Sequence, residues 1–394
     1  MKCVWSMMVT GLLVGLAGCM AHQETSKVEA QRRWADTRGR VLSSVAEDQF
    51  NTGDFESARR SASDSLKLAP DLLEARLLMA RVAIEQAKYG EADEHLKLAA
   101  EKHPDESRIP YLQAIVEERR ERYPEALKLY EKAQELDPKN PAYVLATAEV
   151  LVRLDRAADA LALIESKLTT MDPTAGLYSA AGRLATLVEK HDRAVQYYSR
   201  ATALWPDNLD IRTQLAKAYY FSGQFTQAIS ELESLTARAK DDAPVWMQTM
   251  LAQSYLADRQ APKAKAVFTE LTRREPRVAN HWVGLAKSAL DTGDTARAML
   301  SAREALALDP AQADAAIVLG YVLLKDGQNQ RANTMLVNVT RKHPDNATLL
   351  CLLGRSYDAL GQHEQAVKCF KAASSQQPGD LFAKMLAAGP PTPK

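Results

Sequence analysis

Residues 279–312 read ANHWVGLAKSALDTGDTARAMLSAREALALDPAQ, and the spacing inside this stretch decides the fold. Trp282, Leu285 and Ala286 fall on one helical face, Gly293 interrupts it, Ala298 and Ala305 mark a second helix, and Pro310 closes that helix. Proline cannot continue a helix and disfavours helix in the residue before it, so Pro310 releases the chain into a new segment. That segment repeats the same unit. Ala58, Ala92, Ala126, Ala160, Ala194, Ala228, Ala264, Ala298, Ala332 and Ala366 recur every 34 residues, with one step of 36 between Ala228 and Ala264. Ala46, Ala80, Ala114, Ala148, Gly182, Ala216, Ala252, Ala286, Gly320 and Gly354 form a second ladder 12 residues ahead. Only the smallest side chains stand on these ladders, as expected where two helix backbones approach closely and larger neighbours fill the remaining volume. A period of this length marks an array in which each unit buries its apolar face only against its neighbours.

The 394 residues therefore read as one elongated array of ten units rather than two or three globular domains. The breaks agree with this. Pro70, Pro104, Pro138, Pro206, Pro276, Pro310, Pro344 and Pro378 close units, and Gly223, Gly293, Gly327 and Gly361 stand at the turn between the two helices of a unit. In the first unit, Leu42, Val45, Ala46 and Gln49 are expected on one helix face and Phe55, Ala58, Ala62 and Ser65 on the next. The segment from Ala21 to Arg33 reads as a tether, with the first helix starting near Trp34. The sixth unit lacks its closing proline and carries two extra residues within Thr236 to Ala243, which predicts the most loop-like joint of the array.

These residues resemble the tetratricopeptide repeat (TPR), whose 34-residue helix-turn-helix unit favours a bulky residue, leucine, a small residue, tyrosine, alanine, an aromatic, alanine and proline at set offsets. Besides the unit quoted above, Leu215, Ala216, Tyr219, Gly223, Phe225 and Ala228 carry the pattern in the sixth, and Tyr123, Ala126, Tyr130, Ala133 and Pro138 in the third. The resemblance implies an all-α fold, a right-handed α-solenoid of ten TPR repeats. The repeats are assigned to 39–72, 73–106, 107–140, 141–174, 175–208, 209–244, 245–278, 279–312, 313–346 and 347–378, together spanning 39–378. Lys167, Leu235, Leu271 and Val339 depart from the late alanine, so helix spacing is expected to vary there. Residues 379–388, with Leu381, Phe382, Met385 and Leu386 at helical spacing, read as a capping helix, and 389–394 as a disordered tail.

The N-terminus reads as a targeting segment. Lys2 precedes an apolar run from Val4 to Leu16 that is too short to span a bilayer as a helix. The run ends Leu16-Ala17-Gly18-Cys19, which resembles the lipobox of bacterial lipoproteins. That resemblance implies a signal peptide over 1–18, acylation of Cys19, and a tether with the start of the first helix over 19–38. Met20, being no aspartate, implies a lipoprotein of the cell envelope delivered to an outer membrane and facing the periplasm. Cys351 and Cys369 remain in the fold, 18 residues apart, and are expected as two buried thiols, with a disulfide as the alternative.

Fifty basic residues against fifty acidic ones leave no net basic character for nucleic acid. The seven histidines are scattered, and no metal, phosphate-loop or nucleophile-elbow motif is present, so no cofactor and no enzyme activity is expected. Function is then expected in binding. The resemblance places offsets 2, 5, 9 and 12 of each repeat on a concave face. Offset 9 carries Arg81, Arg183, Lys217, Lys287 and Arg355, opposed by Glu47 and Glu149; offset 12 carries Phe50, Ile84, Val152, Tyr220, Leu256, Leu290 and Leu324. One reading is a groove with an apolar floor and a basic flank for a protein or peptide partner carrying acidic and apolar residues. The other is that the apolar residues are half-buried between helices and that charges such as Glu47 and Arg81 pair across repeats. Offset 6 carries no asparagine, which argues against the terminal-carboxylate clamp of chaperone-binding repeats. Trp246, Tyr220 and Tyr321 are the candidates for an aromatic platform, should the ligand be a glycan.

The expected function is therefore a lipid-anchored envelope scaffold that assists a pilus, secretion or polysaccharide-export complex. The alternative is an accessory activator of a cell-wall or polysaccharide enzyme, or a glycan-binding protein.

Overall fold

The structure, a computed structural model, describes residues 29–376. The signal segment, Cys19, the capping segment and the tail lie outside the described residues. The period alone predicts one continuous array; the contacts group the helices into two units, Met1–Val188 and Glu189–Lys394, with the boundary inside the fifth repeat.

The first unit holds α1 (residues 29–51), α2 (Phe55–Leu68), α3 (Leu73–Glu85), α4 (Tyr89–Lys102), α5 (Arg108–Arg119), α6 (Tyr123–Leu136), α7 (Pro141–Arg153), α8 (Ala157–Leu168) and α9 (Ala175–Leu187). The second holds α10 (His191–Leu204), α11 (Leu209–Phe221), α12 (Phe225–Ala239), α13 (Val245–Ala257), α14 (Ala261–Arg274), α15 (Ala279–Asp291), α16 (Thr295–Leu308), α17 (Ala313–Lys325), α18 (Asn329–Lys342), α19 (Ala347–Ala359) and α20 (His363–Gln376). Within each unit a helix packs on its successor. Odd-numbered helices also touch one another, α3 with α5 and α7 with α9 in the first unit, and α13 with α15 and α15 with α17 and α17 with α19 in the second. The odd helices therefore share a face, and the side chains that occupy it come from offsets fixed by the repeat.

Both ladders are interior. Ala58, Ala92, Ala126 and Ala160 are fully buried in the first unit, and Ala194, Ala228, Ala264, Ala298 and Ala332 in the second. At two of the ladder glycines a ring or branched side chain takes the space: a Cβ added at Gly354 would lie 2.5 Å from Phe370 Cε1, and one at Gly320 2.9 Å from Leu336 Cδ2. Even helices end where the prolines require it. Ala69, before Pro70, leaves helical geometry at φ −129° and ψ 83° while its N–H still donates to the Ser65 carbonyl. Asp54, Asn140, Asn208, Asp294 and Asn346 cap the helices that begin just after them with side-chain oxygens.

Three expectations are corrected. Helix α1 is already formed at residue 29, earlier than Trp34, so the last part of the expected tether is helical. Val45 is 42% exposed, and Ser43 is buried on the face where Val45 was expected. The joint at Thr236 to Ala243 is no open loop: α12 runs on to Ala239, a 3-10 turn over Lys240–Asp242 absorbs the extra residues, and Ala243 is buried.

The turn inside each repeat departs from its glycine pattern in a consistent way. One residue per repeat takes a positive φ of 54° to 83° there, namely Gly53, Ala87, Glu121 and Asp155 in the first unit and Glu189, Gly223, Arg259, Gly293, Gly327 and Gly361 in the second. The surrounding bonds are the paired ones of a left-handed helix stop: in the sixth repeat the Gly223 N–H donates to Tyr220 O and the Gln224 N–H to Tyr219 O. Packing of the two helices imposes the same turn whether or not glycine is present.

Candidate functional site

The odd-helix face of the first unit is built from ion pairs between equivalent positions of consecutive repeats. Arg81 Nη1 lies 2.8 Å from Glu47 Oε1, Arg108 Nη2 3.4 Å from Glu74 Oε1, and Arg183 Nη2 3.2 Å from Glu149 Oε1. Arg81 also covers the Phe50 ring at 4.2 Å from its centroid. A cavity of about 270 Å³ opens among α5, α7 and α9, with Leu145, Val152, Leu184 and Leu187 as apolar lining and Glu118, Glu149 and Arg183 as polar lining. Glu118 is engaged as well, accepting a 2.8 Å hydrogen bond from the Tyr130 hydroxyl, which burial and this carboxylate hold well above its ordinary titration range.

The second unit sets four of the candidate residues on two neighbouring helices. Lys217 and Tyr220 stand three apart on α11 and so share a face; Trp246 and Leu256 come from α13 beside it. Lys217 Nζ sits 4.4 Å from the centroid of the Trp246 ring, within cation–π distance. The Tyr220 hydroxyl donates to Gln253 Oε1 at 2.8 Å, and the ring meets Phe221 and Phe225 edge-on. Burial raises the Tyr220 hydroxyl above its ordinary pKa, so it stays a donor throughout the neutral range. Leu256 is half-buried in the same apolar cluster as Tyr220. Lys287 is spent on an ion pair, 2.7 Å from Asp314 Oδ2 on the next repeat. Tyr321, on α17, is 41% exposed, and Arg355, on α19, is exposed. Trp246 is 40% exposed.

The face is therefore not a uniform basic flank. Most of its cations already have acidic partners, and the apolar residues at offset 12 are half-buried or buried between helices. Sequence reasoning missed Gln253 and Asp314. Gln253 occupies the offset that elsewhere carries the cations, and Asp314 is the offset-2 residue that Lys287 reaches; the register was the signal that pointed to both.

Among the described residues no group of three His, Cys, Asp or Glu side chains is arranged to hold a metal ion, and no helix is long and apolar enough to cross a membrane. Cys351 and Cys369 are unbridged and half-buried rather than fully buried, and burial pushes the Cys369 thiol up.

Stacked helix pairs with a shared face of repeat-registered side chains define a protein-interaction scaffold. A profile described as the cilia and flagella-associated protein 70 C-terminal domain matches residues 152–389, and one described as the tetratricopeptide repeat matches 77–141 and 111–176. The first match spans more than half of the chain, and the chain belongs to this family of tetratricopeptide-repeat proteins. No curated protein matches its sequence. Among solved structures, the C-terminal part of a TPR repeat-containing protein from Cytophaga hutchinsonii is 16% identical, aligned over 70% of this chain and 98% of that one with a TM-score of 0.41. TTC0263, a thermophilic TPR protein of Thermus thermophilus, is 18% identical over 46% of this chain and 97% of its own, with a TM-score of 0.37. MamA is 20% identical over 42% and 95%, with a TM-score of 0.38.

Proposed function

We propose that the protein is a lipid-anchored scaffold of a bacterial cell envelope, held at the outer membrane on the periplasmic side, where it assists assembly or regulation of a pilus, secretion or polysaccharide-export complex. It acts by holding protein partners on the odd-helix faces, without catalysis of its own. The observation that carries the binding role is the row of exposed and half-buried side chains at repeated offsets on those faces, with Trp246 and Tyr321 left 40% and 41% exposed on helices whose other large apolar residues are buried or half-buried. The family description names a ciliary protein; what turns the reading toward a bacterial envelope is Leu16-Ala17-Gly18-Cys19 behind a short apolar run. Affinity purification from detergent-solubilised native membranes tests the role: a defined protein complex is expected, and its absence overturns the scaffold. Metabolic labelling with a fatty-acid probe tests the address, with incorporation expected and lost in Cys19→Ser.

The exposed indole of Trp246 favours a second reading, a glycan-binding accessory to a cell-wall or polysaccharide enzyme. Retention of the chain on a polysaccharide matrix with no protein partner recovered is the result that selects it.

A further inference from the structure

Along the odd-helix face of the second unit, Lys287 is neutralised by Asp314 at 2.7 Å, whereas Lys217 is half-buried and forms no ion pair among the described residues. Its contact is the Trp246 indole at 4.4 Å. A cation partly withdrawn from water and held against a ring, with no counter-charge, gains most from an incoming anion, because the desolvation cost has been met within the fold. One turn along α11, the Tyr220 hydroxyl occupies Gln253 Oε1 at 2.8 Å. The exposed Gln253 amide therefore keeps both N–H groups for a ligand, while one of the two lone pairs of its oxygen is engaged. The groups left over are mainly donors, an ammonium and an amide nitrogen, on a face that also carries exposed indole surface. Such an array suits a ligand that is rich in acceptors and carries an apolar group. A carbohydrate, whose hydroxyls must donate as well as accept, finds only the second lone pair of Gln253 Oε1 and the Tyr220 hydroxyl oxygen to donate to, beside an ammonium without counter-charge that favours an anion.

We propose that Lys217, Trp246 and Gln253 form a carboxylate-reading site for a peptide segment of the protein partner, in which an Asp or Glu stands beside a bulky apolar residue. Lys217 takes the carboxylate, the Gln253 amide donates to a carbonyl of the same segment, and the apolar side chain lies against Trp246. This rests on the scaffold reading and locates its specificity at α11 and α13.

The probes are a fluorescein-labelled octapeptide, Ser-Glu-Phe-Asp-Leu-Glu-Ser-Gly, and its counterpart with Gln and Asn in place of the acids, titrated by anisotropy into the chain from residue 19 onward. The acidic peptide is expected to bind at least about tenfold tighter than the amide one, with the difference shrinking as salt rises. Lys217→Gln is expected to erase that preference and Lys217→Arg to keep it, while Lys287→Gln, which removes a cation already paired, shifts affinity by less than about threefold. Circular dichroism of each variant separates misfolding from lost recognition. Equal binding of the two peptides, or equal effects of Lys217→Gln and Lys287→Gln, overturns the site. So does preferential binding of a chito-oligosaccharide that Trp246→Ala abolishes. A native partner that stays bound to the Lys217→Gln protein overturns this site and leaves the scaffold standing; a wild-type chain that recovers no partner strikes the scaffold, and the peptide titration still decides the site.

Discussion

Gly284→Ala is the sharpest test of how these repeats pack. Gly284 lies in α15 with the Phe268 ring of α14 against it, and a Cβ added there would stand 2.3 Å from Phe268 Cε1 and Cζ and 2.6 Å from Cε2. Carbon atoms pack at about 3.5–4.0 Å, so the ring must retreat by more than about 1 Å. It has nowhere open to go: Phe268 is 1% exposed and shares its cluster with the buried Leu251, Leu271 and Leu285. Overpacking costs about 1–3 kcal/mol and a contact this short falls in the upper half of that range, about 2–3 kcal/mol; the better helix propensity of alanine returns up to about 1 kcal/mol, which leaves a net loss of roughly 1–2 kcal/mol. Gly90→Ala, in α4, is the control, because nothing lies within 4 Å of the added atom. It is expected to be neutral or stabilising by up to about 1 kcal/mol. Phe268→Leu frees the space, so the double variant should recover at least about 1 kcal/mol relative to the sum of the singles. Because a repeat array need not unfold in one step, urea melts followed by circular dichroism should be paired with hydrogen exchange of peptides from α14 and α15. Gly284→Ala as stable as Gly90→Ala, or strict additivity with Phe268→Leu, refutes the reasoning.

The same geometry sets other outcomes. Ala87 holds a φ of 54° at an exposed turn, so Ala87→Gly is expected to stabilise the first unit by roughly 0.5–1 kcal/mol, and Gly223→Ala, at φ 76°, to destabilise the second by about 1–2 kcal/mol, both read from thermal melts. Tyr130 is buried and its hydroxyl donates to Glu118 at 2.8 Å; Tyr130→Phe is expected to cost about 1.5–3 kcal/mol in urea melts. His281 is 3% exposed, and loss of hydration lowers its pKa below the ordinary value against a weaker opposing pull from Glu275. The unfolded chain then binds the proton more readily than the folded one. Stability from this residue is full above the unfolded pKa of about 6.5 and falls as the pH drops from there toward the folded pKa. The melting temperature of His281→Gln should accordingly fall less than that of the wild type between neutral and mildly acidic pH.

Much of the architecture could be read residue by residue because each repeat solves the same local problem. Ala228 and Ala298 had to be small, Pro206 and Pro310 had to end helices, and the offset of Lys217 placed it on the odd-helix face; each needs only the helical period and the chemistry of one or two residue types. The turns show where that reasoning stops. Glu121, Asp155 and Arg259 give no sign in sequence of a positive φ, and they adopt it because the packed helices on either side leave no other way to close the turn. The candidate site divides in the same manner. Lys217 and Trp246 were visible from their register and Gln253 was not singled out, but Arg183 and Lys287 turn out to be neutralised by Glu149 and Asp314 while Lys217 meets an indole.

The repeat, its helices and the face on which a partner would lie thus follow from the order of residues alone, since a 34-residue period of small residues and breakers is met by stacked helix pairs. Which charges on that face remain available was decided by tertiary structure alone. The pairing residues lie some 20 to 40 positions apart, and their side chains meet or miss according to the distance between neighbouring helices, a quantity that packing sets and that no single repeat contains.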